Sequence, residues 1–571
     1  MKKITFLLVA VFTLQLQAQI VNIPDTNFKN ALLAHVPAID TNSDGEIQVS
    51  EANAFTGKLD LNSQSILDFT GLEAFTNITF LDTSFNDPTV LNLSNNTKID
   101  TLWAGGMTSL VSLDLSKNVS LIDVKVRECF SLQTLTLGYQ PNLVGLNAGE
   151  TFLDYKLDLR RCPALESLDL NSVQGNLKTL DLSKNTNLKY LVIRVTAIQA
   201  LDLSNNPNLT HVEVDYNQDL KVLNLKNGNT NSIVNLYATN MNTSSPTPSL
   251  NNICVDDVTF ANSKTSTSGP WYKDNYINYT TACDTYVPDD NFEAVLISGG
   301  YDSGSPDDKV PSSNISSVTA LDVSNKNITD LTGIEAFTSL QTLTCLGNNL
   351  SNLDLTSNLN LVTLIVSGNG LLTDIVLPNG ANVINNKKLK SNRTNVVNST
   401  LVSLDLNSNA LSSLDLRNYS KLTTIKVNNN NLTYLNVQNG NNQNIASANF
   451  NAGGNSGLAE IIVDDVAYAS TNWTNVDAGI TFSTAGTLGV EEAILNSKIV
   501  VYPNPTQGLL NVQLSSEYTI ENLSIYSVMG KQLKFYNSVQ RVIDLHNLSK
   551  GVYFIRIKTD KGTLTKKIIK Y

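Results

Sequence analysis

The sequence contains few of the residues that most often build catalytic and nucleic-acid-binding sites. Its 571 residues include only 3 histidines, 5 cysteines and 3 tryptophans, and charged residues make up 16% of the chain. Aromatic residues account for 7%, so composition predicts no obvious stacking platform for bases or sugars. The net charge of −12 argues against nucleic acid as a partner, because phosphate binding requires a basic surface. Five cysteines in so long a chain do not form a disulfide scaffold.

Sequence motifs of common enzymes are also absent. There is no G-x-S-x-G, no H-E-x-x-H and no phosphate-binding loop. His35, His211 and His546 lie far apart in the sequence, and none has a nucleophile or carboxylate at a suggestive spacing. We therefore predict that the protein is not an enzyme. A pair of catalytic carboxylates stays open at this point, because aspartate is frequent throughout the chain.

Only the first residues form a long apolar run. Lys2 and Lys3 precede the run Ile4 to Leu14, and Ala18 stands at a plausible cleavage point before Gln19. This layout predicts a signal peptide over residues 1–18, with a buried first helix as the alternative. The run is too short to cross a bilayer, and no later stretch is apolar enough to do so. We expect an exported protein with no membrane span.

What the sequence does contain is a short phrase that recurs along most of its length. At Leu110 to Asn118 the phrase reads LVSLDLSKN, and an L-x-L-like triplet returns about every 11 residues. The triplets begin at Leu113, Val124, Leu135, Leu146, Leu157, Leu168, Leu180, Leu191, Leu201, Val212, Leu223 and Val234, and again at Leu321, Leu343, Leu353, Leu364, Ile375, Leu404, Leu414, Ile425 and Leu435. Such regular spacing indicates a repeat architecture.

The alternation within each triplet is the period of a β-strand. Both apolar residues point to one side and the middle residue points to the other. One triplet buries too little surface to be stable alone, so stacked copies must share a continuous core. An asparagine often ends the phrase, and its amide can satisfy backbone groups of the turn and of the next coil. These asparagines are Asn96, Asn118, Asn185, Asn206, Asn217, Asn358, Asn369, Asn409 and Asn430.

This pattern resembles the leucine-rich repeat, L-x-x-L-x-L-x-x-N/C-x-L. Cys129 and Cys162 fall at or near its Asn/Cys position. The sequence departs from that family because both halves of a coil of about 22 residues carry a triplet. We therefore expect a mainly β fold: two leucine-rich-repeat-like solenoids with parallel strands on both faces and almost no helix in the repeats. The alternative is a sandwich of unrelated strands.

A capping helix and an acidic loop precede the first coils. Asp25 to Ala34 predicts a short helix with Asp25 as its N-cap, Phe28 and Leu32 on one face, and Pro37 beyond its end. The loop Asp40 to Glu51, DTNSDGEIQVSE, matches every fixed position of the EF-hand pattern.

The loop predicts one structural calcium ion. Its ligands would be the side chains of Asp40, Asn42, Asp44 and Glu51 and the backbone carbonyl of Glu46. Gln48 would act directly or through water, and Ile47 would point into the core. Gly45 permits the sharp turn. The alternative is an Asp- and Asn-rich turn that binds nothing.

Long-range repetition indicates that the whole unit is duplicated. IPDTNF from Ile23 recurs as VPDDNF from Val287, and CVDDVTFA from Cys254 recurs as IVDDVAYA from Ile462. In the second copy the loop Asp302 to Ser313 lacks most ligands, so we predict calcium in the first cap only. An Asn- and Lys-rich stretch, Asn379 to Asn398, is expected to be a loop.

Two cysteines bracket the end of the first unit. A disulfide between Cys254 and Cys283 is one possibility, and free thiols are the other. The remaining cysteines, Cys129, Cys162 and Cys345, are expected to pack as small apolar residues.

The last part of the chain differs in composition. From Lys498 onward it carries 11 Lys and Arg against 4 Asp and Glu, about +7, which leaves about −19 for the rest. Alternating apolar strands predict a small antiparallel sandwich. Three phrases resemble the type A sorting domain of type IX secretion, found in Bacteroidetes: Pro503, Asn504 and Pro505; Met529, Gly530 and Lys531; and Gly551, Val552 and Tyr553. The resemblance implies that this secretion machinery carries the protein across the outer membrane. An ordinary Ig-like binding module is the alternative.

We predict eight segments along the chain. They are a signal peptide (1–18), a helical cap with the calcium loop (19–58), a first solenoid (59–250), a closing cap (251–286), a second degenerate cap (287–320), a second solenoid (321–483), a linker (484–497) and the sorting domain (498–571).

These features favour a secreted or cell-surface protein that binds another macromolecule, a protein or a polysaccharide. The rivals are a secreted polysaccharide-active enzyme and a structural surface-layer component. Aspartates within the triplets predict a column on the outward face, with Asp114, Asp158, Asp181 and Asp202 as its members. Each would either hydrogen-bond its own turn or contribute to a stripe that binds cations or a basic partner.

Overall fold

A computed structural model describes most of the chain. The described residues are 19–154, 157–175, 177–241, 249–265, 270–378, 400–484, 499–502, 504, 506–514, 520–527, 532–536, 542–559 and 562–570. The predicted signal peptide, the expected loop 379–398 and nearly all of the predicted linker lie outside these ranges. So do Pro503, Pro505 and Met529 to Lys531 of the sorting-domain phrases.

The chain divides into two compact units. The first comprises residues 1–288 and 301–313, and the second comprises residues 289–300 and 314–571. The segment predicted as the second cap is thus divided between them. We describe each unit by itself.

Short strands dominate the first unit. Its strands are β1 (Gly57–Asp60), β2 (Ile78–Asp82), β3 (Thr101–Trp103), β4 (Ser112–Asp114), β5 (Asp123–Lys125), β6 (Thr134–Thr136), β7 (Gly145–Asn147), β8 (Ser167–Asp169), β9 (Tyr190–Val192), β10 (Ala200–Asp202), β11 (His211–Glu213), β12 (Val222–Asn224), β13 (Asn235–Ala238), β14 (Asn252–Cys254), β15 (Trp271–Lys273), β16 (Asn278–Thr280), β17 (Asp284–Tyr286) and β18 (Lys309–Pro311).

These strands pair with their equivalents one coil away. The long sheet has ten parallel strands in the order β1-β2-β3-β5-β7-β8-β9-β11-β13-β15. The other face carries the pair β4-β6 and the four strands β10-β12-β14-β16, also parallel. Leu102 lies opposite Val124, and Val124 lies opposite Leu146, two triplets further along the chain each time. The predicted solenoid pairing, with strands on both faces, is therefore confirmed.

Stacked aliphatic side chains form one continuous core in this unit. The inward residue of each strand is almost fully buried, and the core runs from Val21 to Tyr279. The triplet expected at Val234 is wrong by two residues: Val234 is exposed, while Leu236 and Ala238 point inward from β13. Each coil adds apolar surface to the core that a single strand could not bury.

Buried asparagines form ladders along the turns, as predicted. The Nδ2 group of Asn118 donates to the carbonyl oxygens of Leu93 (3.0 Å) and Asn96 (2.9 Å), which belong to the preceding coil rather than to the next one. Cys129 replaces asparagine at one step, and its Sγ contacts the carbonyl oxygen of Ala104 at 3.2 Å. The ladder satisfies carbonyl groups that the turns would otherwise leave buried and unpaired.

The described helices lie near the ends of the stacks of coils. They are α1 (Thr26–Leu33), α2 (Val49–Ala54), α3 (Val258–Lys264), α4 (Asp290–Ser298), α5 (Ser312–Ile315) and α6 (Val466–Asn472), with short 3₁₀ turns at Leu72–Ala74, Thr230–Ser232, Ile334–Ala336, Asn442–Asn444 and Ser447–Asn449.

The two cap helices share one design. Asp25 caps α1 by accepting from the Phe28 amide, and its second oxygen accepts from the amide of Leu67. Asp289 caps α4 in the same way, and its second oxygen accepts from the amide of Thr329. One carboxylate therefore both starts the helix and ties it to the first coil beside it.

The second unit repeats the parallel arrangement. Its coil strands are β19 (Ala320–Asp322), β20 (Thr342–Thr344), β21 (Asn352–Asp354), β22 (Thr363–Ile365), β23 (Asp374–Val376), β24 (Ser403–Asp405), β25 (Ser413–Asp415), β26 (Thr424–Lys426), β27 (Tyr434–Asn436), β28 (Phe450–Asn451), β29 (Glu460–Ile462) and β30 (Thr481–Ser483). They form the sheets β19-β20-β22-β24-β26-β28, β21-β23 and β25-β27-β29-β30.

The last strands form an antiparallel sandwich, as predicted. They are β31 (Ile499–Tyr502), β32 (Leu509–Leu514), β33 (Ile520–Ser527), β34 (Gln532–Tyr536), β35 (Val542–Asp544), β36 (Gly551–Thr559) and β37 (Gly562–Lys570). The sheets β31-β32-β35 and β34-β33-β36-β37 contribute to a single core. The Asn504 side chain makes two hydrogen bonds to the backbone of β37: its Nδ2 donates to the Lys567 carbonyl, and its Oδ1 accepts from the Ile569 amide.

Cysteine pairing follows the first of the two possibilities. Cys254 and Cys283 form a disulfide, with their Cα atoms 5.2 Å apart. The other described cysteines are free and buried. Burial raises the pKa of Cys129 and Cys345 to about 11 and that of Cys162 to about 12, so these thiols stay protonated and pack as small apolar groups.

The degenerate loop of the second copy matches the first loop, but its residues lie one position later than the alignment of Asp302 with Asp40 predicts. Val310 is buried and pairs with Thr285, as Ile47 pairs with Val21 in the first copy. Asp308 then takes the left-handed conformation of Gly45, with φ of 67° against 79°. It pairs with Lys221, and the Lys309 ammonium donates to the Ser249 carbonyl at 3.0 Å. Lysines thus supply positive charge to this loop.

Candidate functional site

The EF-hand-like loop of the first cap adopts a compact turn. Gly45 is left-handed, and its amide donates to Asp40 Oδ2 at 3.0 Å. The other oxygen, Asp40 Oδ1, is buried and has no hydrogen-bond partner. Ile47 is fully buried, as predicted, so the loop is anchored to the core. An unpartnered buried carboxylate oxygen is the kind of group that a cation would satisfy.

Glu51 closes the loop from the first turn of α2. It accepts from the Gln48 amide at 3.0 Å, and both the amide and the hydroxyl of Thr41 donate to it at 2.8 Å. Burial works against ionisation, but these hydrogen bonds outweigh it and lower the pKa of the Glu51 carboxyl. The carboxylate is therefore ionised and held at the mouth of the loop.

Amide side chains contact the remaining carboxylate of the loop. Asp44 accepts from Gln48 Nε2 at 2.9 Å and from Asn42 Nδ2 at 3.1 Å. The backbone amide of Glu46 also donates to Asp44 and, together with these contacts, lowers the pKa of its carboxyl. Rotation of the two amides would turn their oxygens toward a cation. The donor set therefore fits calcium, while the Glu46 side chain pairs with Lys29 outside the loop at 2.6 Å.

The second candidate is the outward face of the ten-stranded sheet. Phe80 and Trp103 meet edge to face with ring centroids 4.9 Å apart. The Lys125 ammonium lies 4.4 Å from the Trp103 ring, and the Lys58 ammonium lies 4.8 Å from the Phe80 ring. The indole N–H of Trp103 donates to Asp123 at 3.1 Å. We call these five residues the first aromatic cluster.

A second aromatic cluster lies further along the same face. Tyr190 stacks on His211 with centroids 4.8 Å apart, and Tyr237 stacks on Tyr272 at 5.3 Å. Arg194 reaches Asp215 at 3.3 Å. The two clusters are separated by the small and polar outward residues Gly145, Asn147, Ser167 and Asp169 of β7 and β8. We define the second cluster as the four stacked rings.

The equivalent sheet of the second unit lacks such residues. Its described outward positions on β20, β22, β24 and β26 are small or polar, apart from one isoleucine: Thr342, Thr344, Thr363, Ile365, Ser403, Asp405, Thr424 and Lys426. Coils of this type therefore stack without outward aromatics. The rings on the first unit are therefore not required for its coils to stack.

The predicted aspartate column serves the turns. Asp114 accepts from the Ser116 amide, Asp181 from the Ser183 amide and Asp202 from the Ser204 amide, each at 2.9 Å. Asp158 accepts from Arg160 instead. The strand partner of Asp114 is Thr136, so the column is interrupted. The turn-binding interpretation accounts for these carboxylates.

The three histidines have separate structural contacts. His35 accepts from the Asp60 amide through Nε2, and His546 pairs with Asp544 at 2.8 Å. His211 belongs to the second aromatic cluster. Within the first unit, His35 and His211 do not contact each other.

The aromatic face could not be predicted from composition. The low aromatic content of the chain predicts no stacking platform, but the positions of the rings relative to the triplets indicate one. Trp103 and Tyr237 occupy the middle of a triplet, and Tyr190 and His211 directly precede one. All of these positions point outward. Reading only those positions in sequence would have found both clusters.

Comparison with known proteins identifies the end of the chain. Residues 500–571 match the family model of the secretion system C-terminal sorting domain. Internalin J of Listeria monocytogenes serotype 4b (strain F2365) is 35% identical over 79 residues, which is 14% of this chain and 8% of that protein. The chain thus matches only a small part of that relative.

Two solved structures of bacterial proteins are similar at low identity. The functional domain of internalin J from Listeria monocytogenes is 18% identical with a TM-score of 0.29, covering 97% of this chain and 99% of that one. YopM from Yersinia enterocolitica WA-314 is 17% identical with a TM-score of 0.23, covering 71% and 77%.

Within the described residues, no helix combines the length and apolar character needed to cross a bilayer. The sorting domain indicates export to the cell surface or beyond. The repeated phrase, the parallel coil pairing and the asparagine ladders together define the remainder of the fold. The described coils therefore follow the leucine-rich-repeat pattern, and residues 500–571 belong to the family of secretion system C-terminal sorting domains.

Proposed function

We propose that the protein is carried out of the cell by type IX secretion and binds another macromolecule, a protein, through the outward face of its ten-stranded sheet. The observation that carries this proposal is the pair of aromatic clusters on that face, set against small and polar residues on the second unit. Aromatic residues and arginine are the residues most enriched at the centres of protein interfaces.

The geometry of the rings favours a protein over a polysaccharide. Sugars stack on ring faces that are free, but Tyr237 lies nearly parallel to Tyr272 at an interplanar angle of 9°, and Tyr190 lies at 27° to His211. Lysine ammonium groups lie over Trp103 and Phe80. Stacking covers one face of each ring, so ring edges, hydroxyl groups and cations supply much of the remaining contact surface, and these suit a polypeptide.

Paired substitutions test this proposal. The full chain, the W103A/Y237A variant and a T344A/T363A control on the second unit would be immobilised and exposed to detergent extracts of surface proteins and to purified polysaccharides. We expect wild type and the control to capture the same protein, and W103A/Y237A to bind it at least tenfold more weakly. Equal capture by W103A/Y237A, or capture of polysaccharide alone, would contradict the proposal.

Two other functions differ in what they require. A polysaccharide-active enzyme needs two carboxylates facing one bond, whereas the aspartates named above are engaged by turn amides. A structural surface-layer component would assemble with itself. Self-association of the purified full chain that survives W103A/Y237A, with no captured ligand, would favour that alternative.

We also propose that the loop Asp40 to Glu51 binds one calcium ion. The support comes from the EF-hand spacing, the unpartnered Asp40 Oδ1 and the ionised Glu51. Side chains of Asp40, Asn42, Asp44 and Glu51 and the Glu46 carbonyl would hold it. Bound calcium would stabilise the cap by adding ligand-binding free energy to folding.

Calcium binding is tested by thermal melting of the full chain with calcium or with chelator. We expect calcium to raise the melting temperature of wild type and of D307A, a control in the degenerate loop, but not that of D40A/E51A. Calorimetric titration should report a single site. A melting temperature that is unaffected by calcium in wild type would contradict the proposal and show that the loop is a turn that binds no calcium.

A further inference from the structure

The sorting domain presents a basic and aromatic face. In the sheet β34-β33-β36-β37, Leu523, Ile525, Ile555 and Ile557 point into the core. Strand alternation therefore turns Tyr526, Phe535, Phe554, Arg556 and Lys567 to the other side. We call these five residues the basic-aromatic patch.

Cross-strand pairing makes the patch contiguous. Phe554 lies between Tyr526 and Lys567 as their direct strand partner. Ser524 pairs with both Phe535 and Arg556, so these two side chains flank it in the adjacent row. Directly opposed residues on one face are about 5 Å apart, which brings all five side chains into one surface.

The patch is open to solvent and positively charged. Arg556 and Lys567 are exposed, and Phe535 keeps 52% of its surface accessible. The side chains described on this face include no carboxylate. One exposed ring and two half-buried rings beside two exposed cations favour a binding surface over an ordinary solvated sheet.

Another exposed sheet face in the domain is different. Tyr502, Leu509 and Val542 are exposed on β31-β32-β35, and Asp544 lies opposite Leu509. That face combines apolar groups with a carboxylate and has no described arginine. The two faces of the sandwich are therefore distinct in charge, and a partner can discriminate between them.

We propose that the basic-aromatic patch docks on an acidic protein surface of the secretion machinery. The inference rests on the proposed export function and specifies which face of the sorting domain carries it. Acidic side chains of the partner would pair with Arg556 and Lys567, and apolar groups would cover Phe535, Phe554 and Tyr526. Opposite charges accelerate encounter and reject wrong partners, while buried aromatic contacts slow dissociation.

Charge reversal in the full chain tests the proposal in cells that carry the secretion system. We expect R556E/K567E to lower the exported fraction at least tenfold, with the protein retained inside the outer membrane. K550E is the matched control, because Lys550 is exposed on the connection before β36 and lies outside the patch. R556K/K567R should export at least half as well as wild type, because it preserves the charge.

A second measurement separates failure to dock from failure to fold. Purified R556E/K567E should melt within about 2 °C of wild type, and its binding to outer membranes containing the machinery should weaken at least tenfold at low salt. Normal export of folded R556E/K567E would overturn the patch proposal. Normal export of a chain lacking residues 498–571 would overturn the export function itself, so the two failures are distinguishable.

Discussion

At the residue scale, buried asparagine side chains stabilise the coils by hydrogen-bonding backbone carbonyl groups. Asn118 is 1% exposed and donates to carbonyl oxygens of a neighbouring coil, where no water competes. Similar donors recur at Asn185, Asn206, Asn217 and Asn430. A buried carbonyl left without a donor costs far more than an exposed one, so these positions tolerate little change.

Replacing Asn118 with alanine should destabilise the first unit by about 2–4 kcal/mol, because two buried carbonyl groups lose their donors. Urea unfolding of the full chain, followed by hydrogen exchange at residues 93–118, would measure the loss. Asn205 lies in an exposed turn, and N205A should change stability by less than about 0.5 kcal/mol. Equal effects of the two substitutions would contradict the ladder's importance.

The disulfide is the other residue-scale constraint. Cys254 and Cys283 close a separation of 29 residues, for which chain entropy gives about 3–4 kcal/mol. C254S/C283S should therefore lower the melting temperature of the first unit, and reducing agent should do the same to wild type only. The control C345S removes a buried thiol in the second unit. A wild-type protein that is insensitive to reductant would show that the bond adds nothing.

At the scale of elements, each cap is fixed by one aspartate. Burial acts against the ionised form of Asp25, but amides of Phe28, Leu67 and Asp68 lower the pKa of its carboxyl overall. Asp289 has a lowered pKa for the same reason, with Thr329 among its donors. A lowered folded pKa means that the folded chain binds fewer protons than the unfolded chain near pH 4.

The caps should therefore weaken in acid. Their carboxylate contribution is complete above about pH 4, the ordinary pKa of aspartate, and is lost as pH falls through the lower folded values. D25N removes the titration but keeps a capping side chain. Thermal melting between pH 6 and pH 3 should show a large gap between wild type and D25N that narrows as the pH falls. A gap that is constant with pH would rule out this linkage.

The strands could be predicted from the sequence because their apolar triplets recur at a regular spacing. Leu102, Val124 and Leu146 recur at the spacing of a coil, and the structure pairs them in that order. The error at Val234 arises where β13 is displaced within its coil by the 3₁₀ turn Thr230–Ser232, so the triplet frame shifts. The calcium site stays a prediction, since its ligands were read from a loop pattern. The aromatic face was missed because composition carries no information on which side of a strand a ring lies.

At the scale of the whole molecule, separate cores imply separate transitions. The sorting domain has its own apolar core, formed by residues between Ile499 and Ile568. Unfolding of such a chain is not two-state. Scanning calorimetry should resolve more than one transition, and deletion of residues 498–571 should remove one of them while the others shift by less than about 2 °C. A single transition that moves as a whole would contradict independent cores.

The parallel pairing of coils has a consequence for growth. Because each coil bonds only to the one before it and the one after it, adding another set of about 22 residues between existing turns would lengthen the stack by one strand spacing, about 4.8 Å. The distance between the two aromatic clusters is thus set by the number of coils between them. Inserting or deleting a copy between β7 and β8 would move one cluster away from or toward the other without altering either, and a partner that contacts both at once would sense the change in length.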